Sequence, residues 1–213
     1  MSDPFRAAKL LLELRQQGVT DDGVLKAIET VSRADFTPPD TADLAFEDCA
    51  LPIGCGQTLY SPMVAGQLLQ ALQLTPNHSQ SVFVIGAGSG YTMALAGQMA
   101  KSVSGIDRYF SLLETANRAL SKAAVGAIYE FYHGDGLNGL ASSILFDRIL
   151  LAGTTDRVPD ALSRMLKPGG RIVTPLRETN GTVLRSLDSD GQSSDWPLHQ
   201  TISPLVPGPA RKL

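Results

Sequence analysis

Val82-Phe83-Val84-Ile85-Gly86-Ala87-Gly88-Ser89-Gly90-Tyr91 decides the reading of this chain. An unbroken apolar run meets three glycines at alternate positions, and a helical stretch follows at once. Apolar residues without polar alternation describe a strand buried on both faces. Glycines at its end tolerate positive φ and let the backbone come close to a ligand. A helix opening there turns unpaired N–H groups and a partial positive charge toward the same place. The spacing separates ligand classes. A dinucleotide fingerprint needs G-x-G-x-x-G, and its third glycine would fall at Tyr91. No Gly-Lys-Ser/Thr follows, which excludes a P-loop. Taken alone, G-x-G-x-G also fits a tight structural turn.

Working outward, apolar runs alternate with helical stretches. Ser81–Ile85 reads as a strand and Tyr91–Ala100 as a helix, then Val103–Ile106 as a strand and Phe110–Ala123 as a helix. Ile128–Tyr132 and Ile144–Leu151 are further strands, followed by a helix over Pro159–Leu166 and a strand over Gly170–Thr174. Such alternation predicts an α/β fold with a parallel, Rossmann-like sheet doubly wound by helices. Thr182–Leu187 and Leu198–Ile202 flank the turn Asp188-Ser189-Asp190-Gly191, which predicts an antiparallel pair closing one edge. Seven strands are expected in all, preceded by N-terminal helices at 4–17 and 22–32 and by one starting near Pro62. Residues 36–62, rich in Pro, Gly and Asp, read mostly as loop. The tail from Pro207 to Leu213 reads as loosely held.

The chain has 213 residues with a formal charge of −3, and 43% of them are hydrophobic. That supports one globular domain, with residues 1–62 as helices and leading loop, 81–176 as a cofactor-binding core and 177–213 as final strands and tail. An acidic balance argues against a nucleic-acid partner, whose phosphates need a cationic face. No run of 18 apolar residues suggests a membrane span, and no signal segment is read at the start. A cytoplasmic monomer is expected. Cys49 and Cys55 lack His or Cys neighbours at ligand spacing, so no metal site is read and both are expected to be reduced thiols.

Two carboxylates stand where an open α/β sheet binds ligands, at the carboxyl ends of successive strands. Asp107, followed by Arg108, lies 21 residues after Gly86. It suits the two ribose hydroxyls of an adenosine ligand, and equally a helix N-cap before Tyr109. Asp135, between Gly134 and Gly136, suits the adenine amino group, or a simple turn.

These segments, in this order, resemble the protein-L-isoaspartate O-methyltransferases, a family of the class I S-adenosylmethionine-dependent methyltransferases. The likeness rests most on Leu51-Pro52-Ile53-Gly54-Cys55-Gly56-Gln57-Thr58. Arg33-Ala34-Asp35-Phe36-Thr37-Pro38, Gly86–Tyr91, His133–Gly136, Phe146-Asp147 and Leu166-Lys167-Pro168-Gly169-Gly170 add to it. It spans about residues 5–176. The resemblance implies S-adenosyl-L-methionine as cofactor, S-adenosyl-L-homocysteine as product and methyl transfer to the free carboxylate of L-isoaspartyl residues in proteins, the start of their repair. It places Gly86, Ala87, Gly88, Ser89, Gly90, Asp107, Arg108, Asp135 and Gly136 at the cofactor. It places Thr58, Tyr60 and Ser61 at the reaction, with Gln57 and Thr154 toward the acceptor.

Two positions depart from the family pattern. Tyr60 stands where the family has serine, with Ser61 one residue later. Tyr60 either orients the acceptor carboxylate or simply packs. Val84 replaces an acidic residue that in the family helps hold the cofactor's methionine end, so Val84→Glu is expected to tighten binding. The same departures keep open a methyltransferase with another acceptor, or a non-catalytic relative. His78, His133 and His199 read as structural or solvent-exposed.

Overall fold

The computed structural model describes residues 4–123, 126–141, 143–198, 200 and 202–212. His199, and with it part of the expected last strand, lies outside these residues. Two helices, α1 (Pro4–Gln16) and α2 (Asp22–Thr30), lead the chain. Asp21 caps α2 by accepting from the Val24 N–H at 3.0 Å, which satisfies one of the orphan donors of its first turn.

The segment expected as loop holds a small antiparallel hairpin, β1 (Leu51–Gly54) and β2 (Gln57–Leu59). Cys55 at φ 52° and Gly56 at φ 66° make its left-handed turn. Hence a Pro- and Gly-rich stretch pairs with itself instead of remaining loose. Helix α3 (Pro62–Leu72) follows, with Pro62 in its first turn and Ser61 as its cap.

The central sheet comprises β3 (Ser81–Ile85), β4 (Ser102–Asp107), β5 (Ile128–His133), β6 (Phe146–Leu151), β7 (Leu166–Glu178), β8 (Gly181–Asp188) and β9 (Ser193–Leu198). Their spatial order is β5-β4-β3-β6-β7-β8-β9, parallel as far as β7 and antiparallel beyond it. Chain direction across the sheet therefore reverses beside β3, the switch point at which such sheets open a crevice.

Side chains of β3 alternate between two cores. Val82 and Val84 join α3, α4 (Tyr91–Gly97) and α5 (Phe110–Ala123) on one face. Phe83 and Ile85 join Phe146, Ile149 and Ile172 on the other, under the four-residue helix α6 (Asp160–Ser163). Both faces are thus wound, the second more thinly. The rings of Phe83 and Phe146 stack at 4.9 Å. Truncating the fully buried Phe83 to Ala would cost about 3–5 kcal/mol.

Two boundaries at the sheet edge differ from expectation. β7 runs the full Leu166–Glu178 rather than Gly170–Thr174, because its long pairing with β8 carries it onward. The last strand is Ser193–Leu198, not Leu198–Ile202. Five of its six residues are exposed, so it shows no apolar signal. It is held by ladder bonds and by Arg185, which forks onto Asp195 at 2.7 and 2.6 Å. Pro197 is tolerated there because β9 is an edge strand. Among the described residues no helix is long and apolar enough to cross a membrane, and no cluster suited to a metal ion occurs.

Candidate functional site

A cavity of about 210 Å³ opens at the carboxyl ends of β3, β4 and β5. Gly86 and Gly88 form its floor, Asp107 and Arg108 one wall, and Gly134, Asp135 and Gly136 another. Gln57, Thr58 and Tyr60 close it from the hairpin side.

The glycine loop is built for close approach. Gly86, Gly88 and Gly90 all have positive φ, at 83°, 55° and 92°. A Cβ on Gly86 would come within 2.9 Å of Leu205 and 3.2 Å of the Ala152 carbonyl. Gly90 serves packing instead: a Cβ there would meet Ala116 of α5 at 2.9 Å, and the residue is not on the cavity wall. Gly136 brings its backbone between Ile85 and Ile106, where a Cβ would sit 2.6 Å from each.

Asp107 ends β4 and fulfils both roles that its position allows. Its Oδ2 accepts from the Gly88 N–H at 2.9 Å and its Oδ1 from the Tyr109 N–H at 3.0 Å. These bonds fix the carboxylate against the cavity. Burial raises its pKa above the usual aspartate value, and the N–H groups of Tyr109, Gly88 and Arg108, with the Arg108 charge, oppose that rise.

Asp135 caps the short turn at Gly136–Asn138 through the Leu137 N–H at 3.0 Å. Its other oxygen accepts from the Gly208 N–H at 2.9 Å. The tail expected to be loose is therefore pinned across the crevice. Arg108 donates to the carbonyls of Val206 and Pro207. The Arg211 N–H donates to the Arg108 carbonyl at 2.6 Å, and the Phe110 N–H to the Arg211 carbonyl at 3.0 Å. Ser203, Leu205, Val206 and Arg211 complete the cavity wall. Sequence reasoning missed these residues. The only signal was the apolar Leu205-Val206 pair after Pro204.

On the hairpin side, Arg33 acts as a pin. It is 5% exposed and donates to five backbone carbonyls, among them Cys49 at 2.7 Å and Tyr60 at 2.8 Å. Thr58 shares a hydrogen bond with Ser203 at 3.0 Å, and Gln57 donates to the Cys55 carbonyl at 3.3 Å. Tyr60 is buried, and its hydroxyl lacks a partner among the described residues.

Two expected site residues are turned elsewhere. The Ser61 hydroxyl donates to Gln200 at 2.6 Å and accepts from the Val64 N–H at 3.3 Å, so it caps α3. One residue's shift along the chain has moved it off the Tyr60 position, and it does not line the cavity. Thr154 is 3% exposed and covered by the tail, its N–H donating to the Ser203 carbonyl at 3.0 Å and its hydroxyl accepting from Arg177 at 3.4 Å. Val84, 0% exposed within the apolar core, does not reach the cavity either.

No nucleophile–base relay lies at the cavity among the described residues. His133 donates through Nε2 to the carbonyls of Arg108 and Arg211 at 3.0 and 3.1 Å. It therefore holds the tail rather than a proton for chemistry. His78 sits at φ 51° in a surface turn. The site offers a nucleoside-sized crevice, a fixed carboxylate and buried hydroxyls, but no strong base.

The comparisons with known proteins agree with this geometry. Residues 5–200 match the family model described as Protein-L-isoaspartate(D-aspartate) O-methyltransferase. The chain is 38% identical over 206 residues to a protein-L-isoaspartate O-methyltransferase of Xanthobacter autotrophicus, covering 95% of this chain and 93% of that one. It is 39% identical over 213 residues to the protein of the same name from Rhodospirillum centenum, covering 97% and 94%. A candidate protein-L-isoaspartate O-methyltransferase of Plasmodium falciparum, crystallised with S-adenosyl-L-homocysteine, shares the fold. That match has a TM-score of 0.79 at 19% identity, over 94% of this chain and 98% of that one.

Proposed function

The chain belongs to the protein-L-isoaspartate(D-aspartate) O-methyltransferase family, and from that premise we propose how its residues divide the work. It is an S-adenosyl-L-methionine-dependent methyltransferase acting on the free carboxylate of L-isoaspartyl residues in damaged proteins. The near-complete coverage of relatives bearing that activity's name disfavours another acceptor or a non-catalytic role.

The residues present fit the cofactor. Asp107 accepts from the ribose hydroxyls while its anchoring N–H bonds keep it in place. Asp135 and Gly136 border the adenine. The backbone of Gly86, Ala87 and Gly88 lies along the thioether and amino-acid part, where any side chain at Gly86 would intrude. Gly90 sets the turn, and Arg108 holds the tail down over the nucleoside. Gln57 and Thr58 face the acceptor from the hairpin.

When bound, S-adenosyl-L-methionine supplies a methyl group activated by its sulfonium. The acceptor carboxylate, with an unperturbed pKa of about 3.3–3.7, is already ionised at neutral pH. No residue must remove a proton, which agrees with the missing relay. The protein's share is in-line positioning and exclusion of water, worth up to about 7–11 kcal/mol. We further place the protein in the cytoplasm as a monomer. Cys49 and Cys55 are free thiols, as a reducing compartment keeps them.

The observation that carries the reading is Asp107, anchored by the Gly88 and Tyr109 amides on the wall of the glycine-loop cavity. The test is incubation with labelled S-adenosyl-L-methionine and a matched pair of isoaspartyl and aspartyl peptides. Base-labile methyl ester on the isoaspartyl peptide alone is expected. Equal labelling of both peptides, or of neither, would reject it.

A further inference from the structure

Resting on that reading, we propose that the Tyr60 hydroxyl, beside that of Ser89, holds the amino-acid end of S-adenosyl-L-methionine, making Tyr60 a cofactor-selecting residue. A second, smaller cavity of about 30 Å³ adjoins the first and shares its Ile53, Tyr60, Gly86 and Gly88 walls. Ser89 lines only the smaller one. Both hydroxyls are almost completely buried, Tyr60 at 8% exposure and Ser89 at 2%, and neither has a hydrogen-bond partner among the described residues. Buried hydroxyls without partners are costly, and most native ones are satisfied. Two of them on one small cavity beside a glycine loop mark a place where polar ligand atoms complete the bonding.

The chemistry selects which atoms. Among the described residues lining the small cavity, none is charged. A lone carboxylate or ammonium would be poorly matched there. The amino-acid end of the cofactor is a zwitterion, with acceptor oxygens and donor hydrogens side by side and no net charge. Tyr and Ser hydroxyls each donate and accept, so a pair of them meets both groups. Val84 supplies no polar atom from the strand below, which leaves the hydroxyls to do so.

The placement of Tyr60 is fixed from both sides. Its carbonyl accepts from Arg33 at 2.8 Å, and the next residue, Ser61, caps α3. Burial pushes its pKa well above that of a free phenol, so the group stays a neutral donor.

Calorimetry with two ligands tests the assignment. One is S-adenosyl-L-homocysteine. The other is 5′-deoxy-5′-methylthioadenosine, which has the same nucleoside and thioether but no amino-acid end. Tyr60→Phe and Ser89→Ala are each expected to weaken S-adenosyl-L-homocysteine about tenfold or more, the scale of one hydrogen bond to a charged group. Both should leave methylthioadenosine within about twofold of wild type. Equal weakening of the two ligands, or of neither, overturns the assignment. So does an unchanged S-adenosyl-L-homocysteine affinity with a raised KM for isoaspartyl peptide, which would put Tyr60 on the acceptor. That last result leaves the family reading standing, whereas a wild-type protein that binds neither ligand removes both.

Discussion

The Gly208 amide donates to Oδ2 of Asp135 at 2.9 Å, so the carboxylate at the adenine end of the cavity is also the anchor of the chain's own tail. The cavity of about 210 Å³ falls below the usual 300–1,000 Å³ of small-molecule sites. The tail closes it. Cofactor exchange then requires residues after Val206 to lift, breaking the bonds to Asp135 and Arg108. A chain truncated after Val206 is expected to bind and release S-adenosyl-L-homocysteine faster, each rate rising on the order of tenfold for about 1 kcal/mol per bond lost. Stopped-flow fluorescence measures both rates. Equal rates in the full-length and truncated chains would mean that the tail is no gate.

Asp107 gives the site a pH dependence with a defined sign. Its folded-state pKa is raised, chiefly by burial. Ribose hydroxyls are donors to the ionised carboxylate, so the bound state favours the charged form. Affinity for S-adenosyl-L-homocysteine should therefore be full above the raised pKa and decline as pH falls through it, approaching tenfold per unit. The decline should begin at a higher pH than for an ordinary aspartate. Asp107→Asn should bind more weakly at pH 7 and lose the slope. Calorimetry between pH 7.5 and about 5, within the range where circular dichroism shows the fold intact, makes the comparison. An identical slope in the variant would assign the titration to another group.

How far the sequence foretold this depends on burial. Strands β3, β4 and β6 sit between two apolar layers, so they are written as apolar runs, and α5 appears at Phe110–Ala123 as its periodicity predicts. Asp107 and the glycine loop were legible for the same reason, because they terminate those runs. The strand at Ser193–Leu198 was not, since an exposed edge strand is specified by backbone pairing and by Arg185–Asp195 rather than by hydrophobicity. Nor was the tail. Its anchors are backbone groups of Gly208 and Arg211 meeting residues far away in sequence, and such bonds leave no periodic trace.

Ser61 separates a structural hydroxyl from a catalytic one. Its Oγ caps α3 and donates to Gln200, which in turn donates to Asp48 at 3.2 Å. Ser61→Ala should cost about 0.5–2 kcal/mol of stability through the lost cap. It should also leave the Gln200 acceptor without this partner. kcat/KM on an isoaspartyl peptide should stay within about threefold at a temperature where the variant is folded. Denaturant titration and initial rates report the two quantities separately. A loss of kcat by a hundredfold at unchanged stability would return Ser61 to the reaction.

Val84 reverses the expectation drawn from the sequence alone. The residue is fully buried in the core that also holds Tyr91, Met93 and Val103, and it does not line the cavity. A glutamate there adds volume to a close-packed region, at about 1–3 kcal/mol. It must also either stay neutral or carry an unpaired charge out of water. Gain in cofactor binding would need that side chain to displace its neighbours and reach the loop. Val84→Glu is therefore expected to lower Tm by several degrees, since about 1 kcal/mol moves a domain of this size by 2–4 °C. It should not tighten S-adenosyl-L-homocysteine. Thermal unfolding with and without ligand decides the matter: a larger ligand-induced rise in Tm for the variant than for wild type would show that the carboxylate had found the cofactor after all.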